Sequence, residues 1–417
     1  MFTVKVLLIS LLANAQSGFK LGYKQLLAQL FELKLFPGNT IPTDKSFSKA
    51  CDKLPFKAVT TLLSESHKQE FDSSGRKYHG LKIIIPDGTK ISLPRSTSTL
   101  EQYGQAYGHY PQCLAVGFFE LSTGTFDDFK IASRDCPERT LAYEHMLENS
   151  EKSLYMADAG YNGMAFIALA KELGHEVLMP LKMSHLAQKM NDSKKRSLVH
   201  EIKLTRSHLK NYPDHQHLLG TTLKIRLIRT LGTSKLKSQV LITTLLDDAK
   251  FSWKELSGLY RQRYLVEVAY RHLKVNLNLE SIRKRKFSRI KKFMYAAIAL
   301  YNLAAVLRNR IKLPEILPED HGTKMYCFSF CLNRICVFCL AILNPFRGSK
   351  KALANCLRAV KSCWYIYKPW RSSPRICNTP PSKFTVHKGK VKYKEIETAQ
   401  FLNAEYQILG VQYGQIS

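Results

Sequence analysis

The sequence predicts a mixed α/β core interrupted by a β-rich insertion, with a helical region before it and a strongly basic region after it. Three observations carry this reading. Short apolar runs alternate with helical patterns through residues 76–182, the order that builds a sheet with helices packed on it. Residues 183–250 break that rhythm with polar, β-leaning sequence, including 223–230 and 239–246. A long helix then starts near Trp253, and acids nearly vanish after Glu280: ten Lys/Arg fall in 281–314 and fifteen in 321–394, with no Asp or Glu in either.

Taken in order, Lys5 precedes an apolar run at 6–12 and Ala13-Asn14-Ala15. A short signal peptide and an amphipathic first helix share that pattern. Gly18 and Gly22 follow, and the period of 23–31 is helical, so a helix is expected. Residues 1–75 read as helical pieces separated by turn chemistry at Pro37-Gly38-Asn39 and Pro42-Thr43-Asp44. At 79–86 an apolar strand runs into Asp87-Gly88-Thr89, and 90–94 reads as a second short strand before a Gly/Tyr-rich loop at 103–111. Residues 113–121 and 126–132, joined by Ser122-Thr123-Gly124-Thr125, form a hairpin pattern. Pro137 and Glu138 open a helix to 148; a strand ends at Asp158, a helix covers 164–173, and a strand follows at 176–180.

At 417 residues the chain is long enough for two or three structural units. With 45% hydrophobic, 23% charged and 11% aromatic residues it is neither a largely disordered chain, a collagen nor a multi-span membrane protein. The apolar run at 325–343 carries Arg334 and makes a poor membrane span. Its four cysteines (327, 331, 336 and 339) have helical spacing, one CxxC and no Gly turn. Buried free thiols in a reducing compartment are therefore expected in place of a zinc knuckle. The dominant feature is charge: 63 Lys+Arg against 33 Asp+Glu leaves +30. Repulsion of that size calls for a polyanionic partner, foremost nucleic acid. The Pro/Lys stretch 368–394 reads as an extended basic arm, and Trp364, Tyr365, Tyr367 and Trp370 beside it suit a groove or strand contact.

Chemistry concentrates in three places. On the helix after Trp253, Tyr260, Arg263, Glu267 and Lys274 fall within an arc of about 60°, between flanks that include Tyr264, Val268 and Val275 on one side and Val266, Leu273 and Leu277 on the other. The plain alternative is an i, i+4 Arg263–Glu267 pair on a solvated face. Asp87 and Asp158 each end a candidate core strand, where an Asp is often only a turn former. Three converging carboxylates stay ionised together only if a cation neutralises them. Oxygen-only ligands suit Mg²⁺, with Mn²⁺ able to substitute. Two such ions, roughly 3.5–4 Å apart, activate a hydroxyl nucleophile and stabilise the leaving oxygen of a phosphodiester.

Tyr260-(2)-Arg263-(3)-Glu267-(6)-Lys274, Pro86-Asp87-Gly88-Thr89 and Asp158-Ala159-Gly160-Tyr161-Asn162-Gly163, in their order, resemble the motifs of bacterial insertion-sequence DDE transposases of the fourth insertion-sequence family. The likeness covers about 80–290. It implies a ribonuclease-H-like mixed sheet, with Asp87, Asp158 and Glu267 as catalytic residues and metal ligands, Asp87 bridging two ions. Tyr260, Arg263 and Lys274 would hold DNA phosphates. The partners implied are double-stranded DNA, both terminal inverted repeats and target, and a second copy in the synaptic complex. The localisation implied is cytoplasmic, without a membrane. The organisation expected is 1–75 for end binding, 76–182 as the first part of the core, 183–250 as insertion, 251–314 as catalytic helix and end of the core, and 315–417 as a basic region for DNA binding and dimerisation. Two alternatives stay open: a hydrolytic metal-dependent nuclease, and an inactive DNA-binding repressor derived from such an element. Trp253 is expected to pack in the core rather than hold a flipped base.

Overall fold

A computed structural model describes residues 3–15, 23–32, 41–68, 77–104, 110–182, 185–193, 195–231, 238–282, 284–311, 323–341 and 348–367. The basic arm at 368–394, the turn at Pro37-Gly38-Asn39 and most of the Gly/Tyr-rich loop lie outside them. In chain order the elements are α1 (Val4–Ala15), α2 (Tyr23–Glu32), α3 (Asp44–Lys53), α4 (Phe56–Lys68), β1 (Lys82–Ser92), α5 (Thr97–Tyr103), β2 (Gln112–Glu120), β3 (Thr125–Ser133), α6 (Glu138–Glu148), β4 (Ser153–Met156), α7 (Met164–Glu172) and β5 (Glu176–Pro180). After these come α8 (His185–Asp192), β6 (Ser197–Lys203), α9 (Arg206–Leu209), β7 (Thr222–Arg229), β8 (Val240–Thr243), α10 (Trp253–Arg261), α11 (Leu265–Arg271) and α12 (Phe287–Arg310). β9 (Thr323–Tyr326), α13 (Phe328–Ala341), α14 (Ser349–Lys361) and β10 (Trp364–Tyr367) close the described chain.

Among the described residues the main sheet has eight strands in the order β3-β2-β1-β4-β5-β8-β7-β6. β1 pairs antiparallel with β2, and β2 with β3. β1, β4 and β5 run parallel, linked by crossovers through α6 and α7. This five-strand unit, with helices on both faces, has the ribonuclease-H-like topology. The segment expected as an insertion supplies β6, β7 and β8, which join antiparallel to the edge of β5 and lengthen the same sheet. A β-rich insertion is thus present, and it completes an edge that would otherwise expose unpaired backbone groups.

Alternation along the strands builds two apolar layers. Ile84, Leu114, Val116, Phe118 and Tyr155 face α6 and α7, whereas Ile83, Ile85, Ala115, Phe119 and Met156 face α12 and the N-terminal helices. β1 departs from the expectation of two short strands split by a turn: it is one strand that continues through Asp87-Gly88-Thr89, paired there with Gly117, Val116 and Ala115 of β2. Pairing with β4 stops at Ile84 opposite Tyr155. Pro86, which has no N–H to give, therefore lies where β1 has lost one neighbour. The parallel strands separate at that point.

α12 is long and apolar enough to cross a membrane by composition, but it is buried inside the protein as the central helix of one layer. Asn302 anchors it: Oδ1 accepts from the Phe126 N–H (2.8 Å), and Nδ2 donates to the Phe126 carbonyl (2.8 Å) and to Ser66 Oγ (3.2 Å). Helices α1 and α4 pack on α12, and Leu11, Leu27, Leu30, Phe47, Val59 and Leu63 join the same apolar cluster as α12. The described helices of 1–75 thus share the core of the chain, and among the described residues they form no separate one. α13 packs against both α12 and α1, and α14 packs on α13. Cys331, Cys336 and Cys339 are buried free thiols on α13, with the helical spacing read from the sequence.

Candidate active site

The separation of β1 from β4 places two acids side by side. Ile84 lies opposite Tyr155, so the same register carried three residues further sets Asp87 level with Asp158. Odd positions of β1 and even positions of β4 share a face, as Ile85 and Met156 do, and that face is the one covered by α11. Asp158, two residues beyond the end of β4, caps a short turn, its carboxylate accepting from the Gly160 N–H at 2.7 Å.

Glu267 arrives from the opposite direction. The helical stretch that carries it is launched from the insertion by Arg226 on β7. This fully buried guanidinium donates to the Phe251 carbonyl (2.7 Å), the Leu245 carbonyl (3.3 Å) and Ser197 Oγ (2.7 Å), and pairs with Asp248. Ser252 then caps α10 by accepting from the Glu255 N–H at 3.2 Å. The stretch is not one uniform helix. It tightens into a 3-10 turn at Gln262–Tyr264 and widens into a π turn at His272–Asn276, so one rotation per residue does not hold from Tyr260 to Lys274. Val275, expected on an apolar flank, lies within the π turn and is 65% exposed, whereas Leu273 and Leu277 are buried as expected.

Arg263 links the carboxylates. Its Nη1 lies 3.6 Å from Asp87 Oδ1, and its Nη2 donates to Glu267. The plain i, i+4 pair is therefore real, but it is part of a larger cluster. Burial pushes the Asp87 carboxyl up to about 7; Arg263 opposes the rise, while the charges of Glu267, Glu138 and Asp158 add to it. Four acids thus act on one another at a single strand end. Glu138, in the first turn of α6, reaches the cluster from the far face of the sheet and accepts from the Tyr161 hydroxyl at 3.0 Å. A Cβ on Gly88 would stand 2.3 Å from the Glu138 carboxyl carbon, so a side chain there would displace that carboxylate from its place beside Asp87.

The three residues expected on DNA phosphates have protein partners here. Tyr260 is only 8% exposed, and its hydroxyl donates to the Ala157 carbonyl at 3.3 Å. It braces the residue before Asp158, and the sequence pattern did not convey that burial. Lys274 Nζ pairs with Glu280 Oε1 at 2.9 Å and lines a cleft of about 300 Å³ together with Asp87, Thr89, Glu267 and Arg271. Trp253 lies half-buried against the core, with the Arg196 guanidinium 5.8 Å from its ring centroid.

Tyr270 and Glu138 also belong to this site, and Arg226 supports the helix that carries Glu267. Tyr270 is buried, donates to the Asp87 carbonyl (2.6 Å) and accepts from the Gly117 N–H (2.7 Å). It fixes the backbone of Asp87 from one helical turn beyond Glu267. Its place at i+3 from Glu267 was the available signal. Glu138 was visible only as a helix opener, and Arg226 only as one basic residue in a strand.

A family model described as a transposase DDE domain matches residues 78–303. The chain is 24% identical over 347 residues to the transposase InsG for insertion sequence element IS4 of Escherichia coli (strain K12), covering 78% of this chain and 75% of that one. Among solved structures it is similar to a piggyBac transposase synaptic complex with hairpin DNA, with TM-score 0.43 and 10% identity over 93% of this chain and 79% of that chain.

Proposed function

The chain belongs to the transposase DDE-domain family, an endonuclease and strand transferase on DNA, and we propose on that premise that Asp87, Asp158 and Glu267 form its catalytic triad. The single observation that supports this best is the register of β1 and β4, which sets the two aspartates level at the split where Arg263 also ties in Glu267.

The donor set fits hard divalent cations. It consists of carboxylates alone, and the Asp87 carboxyl is pushed up to about 7 by burial and by its acidic neighbours, an excess of negative charge that a cation would relieve. Asp87 would serve two Mg²⁺ ions, Asp158 one of them and Glu267 the other; Mn²⁺ would substitute. Bound there, the ions supply charge neutralisation and activation of the attacking hydroxyl. Tyr270 holds the Asp87 carbonyl, and Tyr260 holds the Ala157 carbonyl just before Asp158. Arg263 exchanges its carboxylate partners for a phosphate of the element end, gripping it as a fork, and Lys274 leaves Glu280 to act as a point charge. Hydrolysis frees a 3′-hydroxyl at the element end, and that hydroxyl attacks target DNA without a covalent protein–DNA intermediate. The helical region at 1–75 binds terminal inverted repeats, and 315–417 contributes DNA contacts and the surface for a second copy. The substrate sets the site of action in the cytoplasm.

The test is purified protein with DNA bearing the flanking inverted repeats, a supercoiled target and Mg²⁺. Cleaved ends joined to target are expected. Nicks without joining would replace this reading with a hydrolytic nuclease. Repeat binding without any nicking would replace it with a repressor. Asp158→Asn and Glu267→Gln should each abolish cleavage and keep end binding, and wild-type cleavage in either removes that residue from the triad.

A further inference from the structure

A second cluster of ligating side chains lies between the insertion and the core, built from atoms unlike those of the acidic site. Glu172 is the last residue of α7. His215 and His217 belong to a short turn at Pro213–Leu218, within the insertion. Residues two apart on a helix point away from each other, but this turn is kinked at His215 (φ −113°, ψ 29°). The kink brings the two imidazoles together, with ring centroids 5.9 Å apart.

Both rings face one carboxylate. His217 Nε2 lies 2.5 Å from Glu172 Oε1, and His215 Nδ1 lies 3.9 Å from Glu172 Oε2. One ligand atom from each residue falls within 4.8 Å of the others. His215 Nδ1 is shielded from solvent and has no hydrogen-bond partner. Such an orphan is costly, and at 3.9 Å it is too far from the carboxylate to be satisfied by it. Bonds near 2.0–2.2 Å at tetrahedral angles hold donor atoms roughly 3.3–3.6 Å apart, so side-chain adjustment would close the 3.9 Å gap at His215 and open the 2.5 Å contact at His217. The other nitrogen of the ring is already placed: His215 Nε2 lies 3.0 Å from the Tyr143 hydroxyl. If Nε2 carries the proton and donates there, Nδ1 is left with its lone pair toward the cluster, the tautomer a metal ligand needs. The C-terminal end of α7 adds partial negative charge beneath a bound cation.

We propose that Glu172, His215 and His217 bind one Zn²⁺ ion, which fastens the insertion to α7 of the core. Two imidazoles with one carboxylate select zinc over Mg²⁺, so this site is chemically separate from the oxygen-only cluster at Asp87. His217 is half-exposed, which leaves an entry path and a fourth position for water. The ion would hold the turn at Pro213–Leu218 against α7, and through β7 it would steady the strand that carries Arg226.

The experiment uses the full chain without a histidine tag, stripped with EDTA and then titrated with Zn²⁺ in excess Mg²⁺. His217→Gln and Glu172→Gln are compared with the parent, both at partly exposed positions where folding is not at stake. The parent is expected to take up one more equivalent of zinc than either variant and to melt at a higher temperature when zinc is added. Co²⁺ in place of zinc should give it the visible absorption of a tetrahedral nitrogen–oxygen site, absent from both variants. Thiols and acidic residues elsewhere are common to all three proteins and cancel in the difference. Equal zinc uptake by the parent and both variants overturns the proposal, whatever the outcome of the DNA cleavage test.

Discussion

Replacing Asp87 by Asn should make the protein more stable while abolishing its cleavage of DNA. The carboxyl stands at about 7 in the folded chain against an ordinary 3.8. Below pH 4 both folded and unfolded chains carry the proton, and nothing is lost. Between about 4 and 7 the unfolded chain has released it while the folded chain still holds it, so stability falls as pH rises; above 7 the penalty is complete. A shift of about three units corresponds to about 4 kcal/mol. Asp87 is 17% exposed, and water at the cleft mouth together with relaxation of Arg263 trims this, leaving a gain of about 2 kcal/mol for the variant at pH 8. Urea unfolding in EDTA at pH 8 and pH 5, run beside the cleavage assay, reads it out. The advantage of Asp87→Asn should shrink as pH falls, and Mg²⁺ should stabilise the parent more than the variant. A variant less stable than its parent at pH 8, or a difference indifferent to pH, would refute the reasoning, because the acid would then not be held against its own charge.

Tyr270→Phe leaves the Gly117 N–H and the Asp87 carbonyl without their buried partner; a loss of about 1–3 kcal/mol in urea unfolding is expected, with slower cleavage and unchanged affinity for the repeats in anisotropy. Lys274→Ala should weaken binding to every DNA sequence alike and flatten the dependence of log affinity on log salt by about one unit, measured by anisotropy across a salt series. Asn302→Leu orphans both polar groups of Phe126 and should cost about 2–4 kcal/mol in urea unfolding.

What the sequence conveyed was the alphabet of the site. Asp87, Asp158 and Glu267 could be picked out as strand-end and helix acids, and 223–230 and 239–246 correspond to β7 and β8. What it could not convey was anything decided by pairing at a distance. Pro86-Asp87-Gly88 is turn chemistry when read locally, yet nine consecutive residues of β2 hold that segment extended; tertiary pairing overrode local preference. The insertion looked like an interruption because its strands follow the core in sequence, whereas β8 adds to the edge of β5. Projecting Tyr260 to Lys274 on one wheel grouped residues that do gather at the site, but it could not give their depth. Along a helix that changes pitch on either side of Glu267, Tyr260 turns inward to Ala157 while Lys274 stays at the cleft. Burial decides which of those residues can reach a phosphate, and burial is not periodic.

The distribution of charge also argues that the acidic cluster exists for a purpose other than folding. The chain has 33 acids against 63 bases, so any acid placed at random has cations to pair with. Here Asp87, Asp158, Glu267 and Glu138 converge from a strand, a strand end and helices on both faces of the sheet, and Arg263 is the cation acting on Asp87. Ordinary packing would spread such groups apart, since mutual repulsion and burial both oppose ionisation. Instead the fold holds them in place by specific means: a glycine at 88 that makes room for Glu138, a tyrosine hydroxyl on the Asp87 carbonyl, another on Ala157, and a buried arginine that launches the helix of Glu267. The last three use buried polar side chains to hold the segments that carry acids which destabilise one another. Such an arrangement is consistent with a site whose negative charge is meant to be met by cations and a polyanion that arrive together.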